Sequence, residues 1–372
     1  MDPRTQFCHD LDCPARGMVG RGNIQIHSRA DRRYKCTTCG RTFAATRGTP
    51  YYRKRTAHDV ITTVLTLLTH GCPTQAIVAA FGLDERTVAA WQQQAGQHGQ
   101  KVHAHRVQRG QVDLQHGQAD ELWVKMVGRK VWMAMALAVP TRLWLGGVIR
   151  PRRDLVLITT LVQMIRSCAL SLAILVCVDG LVSYVTAFCR VFRHPVRTGG
   201  PGRPCLEEAP GLLLGQVIKH QAQRRVVSVT RRVVRGTMEA LLAVLLATGT
   251  GTGINTASIE RLNATFRGAM TPLVRRGRAL ARMEQSLTAG MFLVGCAYNF
   301  CWEHESLRRE IPEGSGRKWQ GRTPAMAAGL TDHRWTMQEL LSHRVPPPLW
   351  VAPKRRGRPP KPIDPLEKAV AA

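Results

Sequence analysis

Acidic residues are scarce in this sequence. Its 372 residues carry 25 Asp+Glu against 53 Lys+Arg, a formal net charge of +28. Between Gly211 and Gly290 the only carboxylates are Glu239, Glu260 and Glu284. So large a cationic surplus points to a polyanionic partner, with nucleic acid first among them. Other features are missing too. The opening MDPRTQFCHD has neither the apolar core nor the flanks of a signal peptide, and nothing reads as a basic amphipathic membrane anchor. The apolar stretch SCALSLAILVCVDGLVSYVTAFC is broken by Asp179 and Gly180, short of the roughly 20 residues a bilayer requires. The 11 cysteines are not evenly paired, which suggests reduced thiols and metal rather than disulfides. The expectation is a cytoplasmic, nucleoid-associated protein with no membrane segment.

Four cysteines organise the first zone, residues 1–50. Cys8 and Cys13 lie in CHDLDC, and Cys36 and Cys39 in CTTCG, with the aromatic-basic run RRYKC leading into the second pair. Two short knuckles of this spacing can close a thiolate tetrahedron around structural Zn²⁺, a zinc ribbon, in a segment too small to bury its own core. His9 and His27 are nearby substitutes. The second zone, residues 56–105, carries helical periodicity in AHDVITTVLTLLTHG, then PTQAIVAAF, the break GLDE, and RTVAAWQQQAGQ. This is the pattern of a helix-turn-helix, whose second helix would present Arg86, Thr87 and Gln92 to DNA.

From residue 116 to about 310 the pattern changes. ADELWVKM, KVWMAMALAV and RLWLGGVI read as an antiparallel meander. DLVLITTLVQMIRSC reads as a helix, and LAILVCV as a wholly apolar strand of the buried parallel kind. Asp179 follows that strand directly and is the only acid between Leu155 and Leu206. In open sheets functional groups gather at strand ends. Alternation along the first strand sets Asp120 on one face with Leu122 and Val124, and Glu121 on the other with Trp123 and Lys125. Asp113 is the fallback if that register slips. In INTASIERLNATFRG, with Asn255 as N-cap, Ile259, Leu262 and Phe266 form an apolar stripe, while Glu260, Asn263 and Arg267 share another face. Two strand acids and a helix acid, converging in a basic protein, suit Mg²⁺ (or Mn²⁺), which takes few, hard oxygen ligands. A pair of such ions serves in-line phosphoryl displacement.

ADELW, VDGLVSY, NTASIERLNATFR, YNFCWEHESL and GRTPAMAAGL resemble the DDE transposases of bacterial insertion sequences, above all the insertion-sequence-one group and its relatives. The resemblance spans nearly the whole chain, and its N-T-x-x-I-E-R-x-N signature is the most specific part. It implies an α+β / α/β multidomain chain whose catalytic domain is RNase H-like. Asp120, Asp179 and Glu260 would be the metal-binding triad, with no covalent protein–DNA intermediate, and the protein would act on the element's ends and a target as a homo-oligomer on double-stranded DNA. A basic insert at about 193–236 would hold a Gly/Pro-rich loop and a hairpin lying along the DNA backbone. Asn263, Arg267, Arg275 and Arg276 would contribute to DNA binding. A helical extension is expected over 311–348. The tail, 349–372, resembles an AT-hook around Arg356 and Arg358 and is expected to be disordered without DNA. The alternative is an inactive zinc-ribbon and helix-turn-helix regulator derived from a transposase.

Overall fold

In the computed structural model, residues 1–197, 199, 202–223, 225–274, 280–311 and 318–352 are described. Two compact units emerge: Met1–Arg47 with the segment that starts at Pro346, and Gly48–Val345.

The first unit holds a three-stranded antiparallel sheet, β1 (Ile24–Ser28), β2 (Arg33–Cys36) and β3 (Thr42–Ala44). Its small core comprises Cys8, Cys13, Ala15, Ile24, Tyr34, Cys36, Phe43 and Ala45. Three of these are cysteines, so apolar burial alone gives this unit little stability.

The second unit begins with three helices, α1 (His58–Thr69), α2 (Thr74–Phe81) and α3 (Glu85–Arg106). α2 ends at Gly82, whose left-handed backbone (φ 61°) is natural for glycine, and Asp84 caps α3 by accepting from the Arg86 N–H. The pair has helix-turn-helix order, yet α3 continues well past the expected reading helix. A side chain at Gly96 would collide with the Ala289 backbone. The lower half of α3 is therefore committed to the core.

The meander follows as β4 (His116–Met126), β5 (Arg129–Ala138) and β6 (Leu143–Arg150), antiparallel throughout. α4 (Leu155–Cys168) leads to β7 (Ile174–Asp179), which pairs parallel with β4, and α5 (Val182–Val191) follows. The Gly/Pro-rich stretch read as a loop contains a short hairpin, β8 (Arg193–Val196) with β9 (Cys205–Glu208). β10 (Leu212–Ala222) pairs parallel with β7 and antiparallel with β11 (Arg225–Arg235), the expected basic hairpin. The result is a mixed six-stranded sheet of order β11-β10-β7-β4-β5-β6.

Layers close over both sides. Ala119, Val176 and Val178 pack with α4 and α5 on one face. On the other, Leu122, Val124 and Met133 meet α7 (Ala257–Ala269) and α8 (Glu284–Phe300), and Cys177 and Val217 meet α6 (Met238–Ala247). α9 (Pro324–Ala327) and α10 (Met337–Ser342) complete the unit within the span expected to be helical. Among the described residues no helix is long and apolar enough to cross a membrane. The tail with Arg356 and Arg358, and Arg275 and Arg276, lie outside the described residues.

Candidate functional site

In the first unit the sulfurs of Cys8, Cys13, Cys36 and Cys39 all lie within 4.8 Å of one another. Cys8 and Cys39 are 3.6 Å apart, and Cys13 and Cys36 3.9 Å. A tetrahedral ion with metal–sulfur bonds of about 2.3 Å needs sulfurs about 3.8 Å apart, which these two distances match, so the cluster could hold a metal ion. Donors already face the sulfurs: the Asp10 N–H reaches Cys8 Sγ at 3.5 Å and Asn23 Nδ2 reaches Cys36 Sγ at 3.4 Å. Burial pushes the Cys8 and Cys13 thiols up. At Cys36 burial acts the same way, but backbone N–H groups of Cys39 and Thr38 outweigh it and bring the thiol down to about 7. His9 is outside the cluster, between the rings of Phe7 and Phe43.

In the second unit the acids converge at one end of the sheet. Ala119 of β4 pairs with Val178 of β7, so Asp120 and Asp179 are next neighbours on parallel strands. Glu121 joins them: one carboxylate oxygen from each of the three lies within 4.8 Å of the others. Glu121 points to the opposite face of β4, where its side chain is only 1% exposed. There Tyr184 donates to Oε2 at 2.8 Å and Arg153 Nε to Oε1 at 2.6 Å. Arg153 also donates to Asp179 Oδ2 at 3.0 Å and lies over the Trp132 ring. The turn after β7 is fixed from both sides. Asp179 Oδ1 accepts from the Leu181 N–H, and Gln216 Nε2 donates to the Asp179 carbonyl, each at 3.0 Å.

Helix α7 supplies the remaining groups. Ile259, Leu262 and Phe266 are buried, so Glu260, Asn263 and Arg267 face the cavity as the periodicity required. The helix cap differs from expectation. Thr256 is the N-cap, and Asn255 instead accepts from the Ala257 N–H at 3.2 Å. Asn263 is buried rather than presented outward, and its Nδ2 donates to Asp120 Oδ2 at 2.8 Å. Its Oδ1 is buried with no hydrogen-bond partner among the described residues. Glu260 does not enter the close carboxylate cluster. Its Oε1 accepts from Lys219 Nζ at 2.5 Å and from the Thr256 hydroxyl at 2.9 Å.

These residues line a cavity of about 900 Å³ together with Asp120, Arg153 and Asp179. Burial, then the charges of Glu121 and Asp179, push the Asp120 carboxyl up to about 7. Burial and Asp179 likewise raise Glu121. Burial also acts upward on Glu260, but Lys219 and Thr256 outweigh it and hold the carboxyl below its ordinary value. Three carboxylates sharing a single arginine are suited to a cation bearing more than one positive charge.

Asp113 lies apart from this cluster, exposed and bound to Gln115. On α3, Arg86 is exposed and Thr87 half-buried, whereas Gln92 is half-buried with its amide beside Gly290. Sequence reasoning passed over Arg153, Tyr184 and Lys219, and set Glu121 aside as the acid on the other face. The adjacent acid pair was the one signal available for Glu121. No protein-family model matches the chain, and no curated protein matches it either.

Proposed function

We propose that the protein is a metal-dependent DNA strand-cleaving and strand-transferring enzyme, a transposase of the DDE kind. The observation that carries this reading is that Asp120, Asp179 and Glu260, from two strands and a helix, line one open cavity in a chain of net charge +28. A meander whose first strand pairs parallel with β7, with Asp120 beside Asp179 where β7 ends, supports an RNase H-like catalytic domain.

The residues fit Mg²⁺ or Mn²⁺. The donors are hard oxygens, Asp179 and Glu260 remain 33% and 47% exposed, and an unpartnered amide oxygen, Asn263 Oδ1, is buried beside them. When bound, two such ions stabilise the attacking and leaving oxygens of an in-line displacement at phosphorus. Asp120 and Asp179 would hold the ions from the sheet, and Glu260 from α7. Asn263 fixes the rotamer of Asp120. Arg153 and Tyr184 hold Glu121, Arg153 also orients Asp179, and Arg267 would contact phosphate at the cavity rim. Cys8, Cys13, Cys36 and Cys39 would hold a structural Zn²⁺, while Arg86 and Thr87 at the start of α3 meet the duplex.

The test is strand cleavage of duplex DNA. The expected result is nicking or joining that requires Mg²⁺ or Mn²⁺ and stops on chelation with EDTA. Strand cleavage of equal rate in EDTA would contradict the reading.

A further inference from the structure

The ion pair of Glu260 singles out Lys219. Among the cavity's cations, Arg153 is tied to two carboxylates and stacked on Trp132. Lys219 is placed differently. The parallel pairing of β10 with β7 stops at Val217, opposite Asp179, and two residues later the same alternation delivers Lys219 to the cavity. From there β10 and β11 continue as a two-stranded ribbon whose residues 219–222 and 225–232 are exposed. The sequence from Gly211 to Gly236 contains no acid. A nucleic-acid backbone drawn to this ribbon therefore meets Lys219 beside the cavity.

Lys219 and Glu260 side chains are 43% and 47% exposed, so solvent screens their attraction and the pair costs little to break. Glu260 itself lies outside the cluster formed by Asp120, Glu121 and Asp179.

We infer that Lys219 is a positioning residue that exchanges partners: it holds Glu260 when no polynucleotide is bound and transfers to a backbone phosphate when one arrives, freeing Glu260 to complete the divalent-cation site. The inference rests on the proposed metal-dependent phosphoryl-transfer site. It makes DNA and metal binding mutually reinforcing, and by linkage each must tighten the other by the same factor.

The experiment is Mn²⁺ binding followed by electron paramagnetic resonance, with and without a short random-sequence duplex. Each titration is read as the difference from Asp179→Asn protein under the same condition, which subtracts ions held by phosphates and thiolates. In the parent protein the duplex should tighten Mn²⁺ on the order of 10-fold. Lys219→Met should bind Mn²⁺ more tightly without duplex and show almost no further gain with it, while Lys219→Arg should retain the parental coupling. Simple removal of a positive charge would tighten Mn²⁺ equally in both conditions. A Lys219→Met protein with the parental ratio would therefore overturn the exchange while leaving the proposed function standing. No Asp179-dependent Mn²⁺ binding in any form, with or without duplex, would overturn the metal site and the exchange together.

Discussion

Replacing Asp179 with Asn is expected to lower Mg²⁺-dependent strand cleavage by on the order of 10³-fold, about 4 kcal/mol of lost transition-state stabilisation, while duplex binding survives. Asparagine retains an oxygen to accept from the Leu181 N–H, so the β7–α5 turn keeps its bond, and Arg153 keeps Glu121 as its partner. What disappears is an anionic oxygen next to Asp120. The same change should alter the pH dependence of stability. Asp120 ordinarily titrates at 3.8 but near 7 in the folded protein, through burial and the charges of Glu121 and Asp179. Between those values the folded state binds the extra proton. Without divalent ions, the stability that Asp120 contributes is therefore fully present below about pH 4 and is lost as pH rises to about 7, a loss on the order of a few kcal/mol. Asp179→Asn should make that decline shallower without abolishing it, because burial, the largest cause, and the charge of Glu121 remain. Thermal melting across this range, paired with cleavage rates, checks both parts. Parental cleavage by a folded Asp179→Asn protein would remove Asp179 from the mechanism.

The second large effect concerns the cysteines. Cys36→Ser combined with Cys39→Ser should abolish the roughly single equivalent of zinc expected in the purified protein, and with it the fold of the Met1–Arg47 segment. Structural zinc supplies about 10–16 kcal/mol in small zinc modules at neutral pH, and the few apolar residues of this core cannot replace it. The Gly48–Val345 unit has its own large core and should keep its melting transition. Metal analysis and limited proteolysis read the two units separately. Unchanged zinc content, or protease resistance of the segment without zinc, would contradict the assignment.

What could be read in the sequence was what short-range periodicity controls. The cysteine pairs, the meander, the apolar parallel strand ending at Asp179 and the stripe of Ile259, Leu262 and Phe266 are local patterns. Each appears in the structure as expected. The groups that tune the site are joined across distance instead. Tyr184 meets Glu121 from 63 residues away, and Lys219 meets Glu260 from 41, separations at which no periodicity operates. Glu121 was legible as an acid but not as a buried one. Alternation assigns it to the face of Trp123 and Lys125, which are exposed; only the first half of β4 is covered on both sides. The short β8–β9 hairpin was hidden by glycine and proline, which signal turns more strongly than brief strands.

Glu260 provides the most direct test, because its salt bridge to Lys219 offers a purely structural explanation for its presence. Glu260→Gln preserves the side chain's size and its bond with Thr256, and the partner it leaves, Lys219, is half-exposed and easily solvated. Melting temperature, duplex affinity and Mg²⁺-dependent cleavage should be measured on one preparation. The metal-site account predicts melting close to the parent, affinity equal or slightly higher as a negative charge is withdrawn from a phosphate-facing cavity, and cleavage reduced by orders of magnitude. A folded Glu260→Gln protein that cleaves at the parental rate would contradict it.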